Sequence, residues 1–320
     1  MSHHSRGTPA PSTGERILIV ALTHQRNDDL GALLPMLLAQ AQSIRDAHAS
    51  VLVVDNDPAG GARCLVEAHG EPDTIEYLHV PSPGIAAARN AALAAAASTD
   101  LLVFIDDDER PVEQWLQHLV RVWRQTGSAA VVGPVVSEFA DELDPWIVAG
   151  RFFDRRRMPT GTAVDTAATN NLLLDMEQVR SLRLAFDERF GLSGGSDTLF
   201  TRQLHDRGGV MTWCDEAIVI DVVPSARLTR SWVMRRAFRS GNTWMRTSLV
   251  LAPTPLHSGF ARIWLGIRGA VRVLGGAFRV VAGMVTKRMD LRARGARTVA
   301  RGAGILAGSV GSTYVEYRRA

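Results

Sequence analysis

Between Ile17 and Val136 the chain alternates short apolar runs with longer amphipathic ones, and this rhythm limits its fold more than any other feature. The runs ILIVAL (17–22), VLVVD (51–55), IEYLHV (75–80), LLVFI (101–105) and AAVVGPVV (129–136) have the length of strands. Between them lie helical stretches at 28–44, 62–69, 84–97 and 112–125; the last gathers Trp115, Leu119, Val122 and Trp123 near one face. Strands without a polar face need helices above and below them. The order therefore predicts an α/β fold with a doubly wound, mostly parallel sheet. Beyond Ser137 the pattern loosens: ATNNLLLD (168–175) and AIVIDVV (217–223) read as strands, 186–209 as a loop entering a helix, and 230–249 as a helix interrupted near Gly241.

In open parallel sheets ligands bind outside the carboxyl ends of the strands. Three of these ends are polar: Thr23 with His24, then Asp55-Asn56-Asp57, then Asp106-Asp107-Asp108. Carboxylates held close together resist joint ionisation unless a cation or donor groups compensate them. Two readings of Asp106 to Asp108 follow. A hard divalent ion could bridge them to a diphosphate, or they could open the next helix, with Asp108 as cap and Pro111 in its first turn. Asp55 could accept a hydrogen bond from a base N–H or close an Asx-turn on nearby amides. Gly84 leaves amides free before a helix, and Arg89 beyond it could reach a phosphate or an aspartate. In GLSGGSDTLF, Gly194 and Gly195 permit close approach of backbone. Ser196 and Asp197 suit a helix cap, while Asp197 also suits a general base.

Other classes are excluded by what is missing. Two distant cysteines, Cys64 and Cys214, make neither a disulfide framework nor a zinc site. No G-x-G-x-x-G or P-loop pattern occurs. The first fifteen residues are polar, are expected to be disordered, and lack the apolar core of a signal peptide. No apolar run of about eighteen residues predicts a membrane-spanning helix. The net charge of +3 conceals an asymmetry: residues 255–320 hold twelve Arg or Lys against Asp290 and Glu316. Within 260–288, Arg268, Arg272 and Arg279 fall on one narrow helical stripe. Such a helix could lie on an anionic membrane surface, or dock on the rest of the chain or on a second copy. Nucleic acid is not expected, because no recognition motif accompanies the charge.

Taken in order, these segments resemble the family 2 glycosyltransferases, enzymes of GT-A fold, from about Ile17 to Gly241. ILIVALTHQR, VLVVDND, GIAAARNAAL, FIDDDE, ATNNLLL, GGSDTLF and RRAFRSGNTW each stand where that family has a motif. The detail is nearest to bacterial exopolysaccharide enzymes of the succinoglycan type. The resemblance implies an inverting transfer from a nucleotide sugar, expected to be a UDP-sugar, to an acceptor hydroxyl. Thr23 and Asp55 would hold the base, Arg89 would lie near the nucleotide, and Asp106 with Asp108 would hold ribose and Mg²⁺ or Mn²⁺. Asp197 would be the base. Gly194, Gly195, Ser196, Arg235, Arg236 and Arg239 would contact acceptor or phosphate, unless the arginines are a solvated helix face. Three residues depart from the pattern: His24-Gln25 for Tyr-Asn, Ser196 for a glutamate, and Ile220 for a metal-binding histidine, with Asp221 expected on the opposite face of its strand. The expected organisation is a tail (1–15), a GT-A domain (16–250) and a basic amphipathic tail (251–320). The expected location is the cytoplasmic face of the membrane, with a lipid-linked glycan as acceptor and a homodimer left open. A sugar nucleotidyltransferase and a catalytically silent adaptor are the competing functions.

Overall fold

The computed structural model describes residues 14–70 and 74–314; residues 1–13 of the expected disordered tail lie outside them. Glu15 already belongs to the first strand. The strands are β1 (Glu15–Thr23), β2 (Ala47–Asp55), β3 (Ile75–His79), β4 (Leu101–Asp106), β5 (Glu109–Pro111), β6 (Ala130–Val132), β7 (Val135–Phe139), β8 (Asn171–Asp175), β9 (Met211–Trp213) and β10 (Val219–Val223). Seven form one sheet in the order β3-β2-β1-β4-β8-β6-β9, and three form a smaller one, β5-β10-β7. The large sheet is parallel except for β8, which runs antiparallel to both neighbours. Period-two alternation divides the buried side chains between two apolar clusters. Ile19, Val53 and Val103 join Leu33, Leu37 and Leu119 in one, while Val20, Val54 and Phe104 join Ala88, Ala92 and Phe200 in the other.

Register sets up the functional rim. Thr23 pairs with Asp55 across β1 and β2, and Leu22 pairs with Asp106 across β1 and β4, so all three carboxyl ends finish side by side.

Three expectations are corrected. The run 129–136 is two strands, because Gly133 and Pro134 separate β6 in the large sheet from β7 in the small one. A Cβ at Gly133 would lie 2.2 Å from the Ala217 carbonyl oxygen, too close for any side chain there. Asp108 caps no helix: Glu109–Pro111 becomes β5 on the edge of the small sheet, where proline is tolerated, and the next helix begins only at Trp115. The helix Arg230–Val250 runs unbroken through Gly241. That glycine makes room for another helix, since a Cβ on it would stand 2.0 Å from the Arg301 carbonyl oxygen.

The C-terminal part forms a hairpin of two helices, Pro255–Val285 and Met289–Ser309. Glycine at seven-residue spacing packs them together: Gly269 lies against Gly302 and Gly276 against Gly295, while Gly283 receives the Arg288–Arg292 turn. Gly304 and Gly308 press the second helix onto Phe238, Asn242 and Met245 of the Arg230–Val250 helix. Among the described residues nothing covers the opposite face of Pro255–Val285. Phe260, Ile267, Leu274, Phe278 and Val285 are 71%, 53%, 71%, 76% and 79% exposed. No described helix is long and apolar enough to cross a membrane.

Candidate active site

The aligned strand ends open into a cavity of about 1240 Å³. Thr23, Asp106, Asp107 and Asp108 line it, together with Arg89 and with Gly194, Gly195 and Asp197. Residues from four separate stretches of sequence thus meet in one space.

The three aspartates divide their tasks. Asp107 accepts from the Thr23 hydroxyl at 2.9 Å and from Arg26 at 3.2 Å. Asp108 is bound by Arg26 and, at 3.1 Å, by Arg227. Arg26 and Arg227 were not singled out in the sequence; they supply part of the compensation that the acidic run demands. The Asp106 carboxylate receives no hydrogen bond or ion pair from any described residue, yet it lines the cavity. Burial, then the Asp108 charge, push its pKa up to about 7 against the pull of Arg89. Asp107 is pushed up to about 6 by burial, with Arg26 opposing. Buried Glu109, which accepts from Asn170 at 2.6 Å, is raised well above the usual carboxylate range by burial and by Asp106.

This carries a sign. A carboxyl whose folded pKa exceeds its unfolded one keeps its proton longer when folded, so stability falls as pH rises through the interval between the two. For Asp106 that interval runs from 3.8 to about 7, and the cost stays in full above it. Asp106→Asn should therefore be roughly 1–2 kcal/mol more stable than the parent at pH 8 with chelator present, a discounted fraction of the shift, and no more stable at pH 4. Denaturant titrations at the two pH values check this. Equal stability at both would mean that Asp106 is solvated.

Asp55 is fully buried and does not line the cavity. Its carboxylate accepts from the Asp57 amide at 2.8 Å, the Ala62 amide at 3.0 Å and the Tyr77 hydroxyl at 2.9 Å. These bonds shape the loop that puts Asn56 and Pro58 on the wall. Arg89, 5% exposed, donates to the Ser196 hydroxyl at 2.7 Å, and its Nε has no partner. Ser196 thereby holds Arg89 against the start of its helix. Gly194 and Gly195 have φ of 75° and 97°, the left-handed region, and a Cβ on Gly195 would meet Thr243 at 2.3 Å. This turn presents Asp197 at the helix N-terminus, where only Oδ1 is engaged, accepting from the Thr198 amide at 2.7 Å.

Arg236 and Arg239, three residues apart on one helix, reach the cavity, whereas Arg235 points to solvent and does not line it. β10 alternates with the phase opposite to expectation: Asp221 lines the cavity and Ile220 does not. Asp221 is neutralised there by Arg155, one of three consecutive arginines. Arg301 also reaches the cavity, from the C-terminal hairpin, and nothing in the sequence pattern marked it. The lining is acidic at the strand ends and holds arginines from the C-terminal helices as well, which suits an anionic ligand together with a divalent ion. Among the described residues no three His, Cys, Asp or Glu could hold a metal by themselves.

Comparison with known proteins agrees with this geometry. Residues 18–176 match the family description "Glycosyl transferase family 2". The chain is 37% identical over 199 residues to the succinoglycan biosynthesis protein ExoM of Rhizobium meliloti, covering 62% of this chain and 64% of that one. It is 26% identical over 276 residues to the pre-mycofactocin glycosyltransferase of Mycobacterium tuberculosis, covering 82% and 54%. The chain thus spans somewhat less than two thirds of the length of these curated relatives. Among solved structures, S. aureus TarS 1–349 in complex with UDP-GlcNAc matches at a TM-score of 0.52 and 14% identity, over 90% of this chain and 92% of that one. GalNAc-T7 with UDP, GalNAc and Mn²⁺ matches at 0.54 and 13%, over 75% and 48%. The fold is GT-A-like, an α/β sheet extended by C-terminal helices.

Proposed function

We propose, from the match of residues 18–176 to glycosyl transferase family 2, that the chain transfers a sugar with inversion from a UDP-sugar to an acceptor hydroxyl. The observation that carries this reading is the meeting of Asp106, Asp108 and Asp197 in one cavity, with the Asp106 carboxylate unpartnered there. The donor proposed is of the class held by the TarS complex. Residues 16–250 would be the catalytic unit, with 251–320 as an appended hairpin.

The residues present fit a divalent ion. The unpaired carboxylate of Asp106 and the Oδ1 of Asp108, whose Oδ2 is held by Arg26 and Arg227, would leave the other positions to diphosphate oxygens and water, the set that Mg²⁺ or Mn²⁺ takes with one or two carboxylates. When bound, such an ion would neutralise charge on the departing diphosphate. Arg89 would lie near the nucleotide, and Thr23, with Asn56 and Pro58 on the loop that Asp55 shapes, would border the base. Asp197 would take the acceptor proton on its unengaged Oδ2 as the acceptor oxygen bonds to the anomeric carbon and the carbon–phosphate-oxygen bond breaks. Arg236 and Arg239 would face the anionic side of the ligands.

The test is a panel of nucleotide sugars with Mn²⁺, scored for release of nucleoside diphosphate. One UDP-sugar should give diphosphate, with acceptor raising the rate. Pyrophosphate as product would make the chain a nucleotidyltransferase, and silence with every donor would make it an adaptor.

The tail adds a location. The exposed apolar face of Pro255–Val285 is about 46 Å long at 1.5 Å per residue, and Arg268, Arg272 and Arg279 run along its flank. Apolar side chains at the acyl boundary with arginines at headgroup level suit peripheral binding to the cytoplasmic leaflet. Phe278→Glu should reduce binding to anionic vesicles at least about tenfold, since a charge at that face must enter the acyl boundary. Concentration-dependent dimers without any vesicle binding would instead make this face an interface between copies.

A further inference from the structure

We infer that His24 reads the base of the donor, its Nε2 accepting a hydrogen bond from an N–H on the base edge and so selecting uracil over cytosine. The inference rests on the function proposed above and names what that site discriminates.

The two groups that the sequence assigns to the base are engaged elsewhere. Asp55 is fully buried and off the cavity, bound by two amides and the Tyr77 hydroxyl. Thr23 is 3% exposed and donates its hydroxyl to Asp107. Next to it, the half-buried ring of His24 lines the cavity. Its Nδ1 lies 3.2 Å from the Asn56 carbonyl oxygen. A carbonyl only accepts, so Nδ1 carries the proton, and in the neutral ring Nε2 is left as an acceptor. No described residue donates to it.

The ring is held before any ligand arrives. The Asn56 amide donates to the Thr23 carbonyl at 2.9 Å, His24 donates to the Asn56 carbonyl, and Gln25 Nε2 donates to the Asp57 carboxylate at 3.2 Å. Gln25 takes a φ of 56°, in the left-handed region, which is costly for a residue with a side chain and persists only where its surroundings fix it. Position agrees with the role. β1 separates β2 from β4, so the ends of β2 and β4 stand about 10 Å apart. A nucleotide with its diphosphate at Asp106 and Asp108 carries its base one ribose further on, and the His24 ring is bonded to Asn56, on the β2 side. Uracil brings an N3–H to a fixed acceptor. Cytosine brings a bare N3, and two lone pairs then face each other with neither satisfied.

The test titrates UDP, CDP and 3-methyl-UDP, whose N3 carries a methyl in place of the hydrogen, by calorimetry into the purified full chain at pH 8 with Mn²⁺. The parent should bind UDP at least about tenfold more tightly than either of the others. His24→Phe keeps a ring without an acceptor; it should bind UDP about tenfold more weakly and CDP within about twofold of UDP. His24→Gln, whose carbonyl oxygen can stand near the place of Nε2, should keep a preference for UDP, and it decides the matter if the Phe variant does not fold. Equal binding of UDP and CDP by the parent or by His24→Gln overturns the inference, as does an undiminished preference in His24→Phe. A parent that binds no UDP overturns the donor reading and this inference together, an outcome distinct from UDP binding without discrimination.

Discussion

Asp197→Asn is expected to lower the rate of sugar transfer by about 10²- to 10⁴-fold, the usual contribution of a positioned general base, and to leave donor affinity nearly unchanged. Asparagine keeps the shape of the side chain, and its carbonyl oxygen can still accept from the Thr198 amide as Oδ1 does at 2.7 Å. What disappears is an oxygen able to take a proton. The charge lost from the helix N-terminus costs only about 0.3–1 kcal/mol, so the variant remains folded. Steady-state kinetics with donor and acceptor, alongside calorimetric titration of UDP, separate the two effects. Full activity in this variant would leave Asp197 as a helix-terminal residue and nothing more.

The second large effect concerns the cation. Asp106→Asn is expected to lower transfer by about 10³-fold or more and to abolish its dependence on Mn²⁺, because charge developing on the leaving diphosphate loses its counter-charge. The same substitution should stabilise the fold at pH 8. Loss of activity with gain of stability is the signature of a group strained for function. Asp108→Asn should also impair transfer but not stabilise, since Arg26 and Arg227 would lose the carboxylate they both hold.

Much of this was legible in the sequence because it depends on local pattern. Apolar runs of strand length alternating with helices gave the doubly wound sheet, and the rule for strand ends led to Thr23 and Asp106. Gly194 and Gly195 were readable as a place of close approach, as the 2.3 Å between a Cβ on Gly195 and Thr243 shows, whereas their positive φ was not. Contacts made at long range were not readable. Arg227 meets Asp108 across 119 positions, and Arg301 reaches the cavity only because glycines let three helices approach. Strand phase was misread at β10, where Ile220 and Asp221 are equally plausible from alternation alone; pairing of Asp221 with Glu109 and Ser137 decides it. Gly241 looked like a helix break. In a helix a glycine can equally mark close approach of another backbone, and the sequence does not distinguish these uses.

The cavity as donor site can be tested directly by calorimetric titration of UDP, with and without Mn²⁺, into the parent chain and Asp106→Asn. Binding that requires Mn²⁺ in the parent and loses that requirement, with most of its affinity, in the variant is the expected result. UDP binding that is equally tight in both chains, or indifferent to Mn²⁺ in the parent, would contradict it.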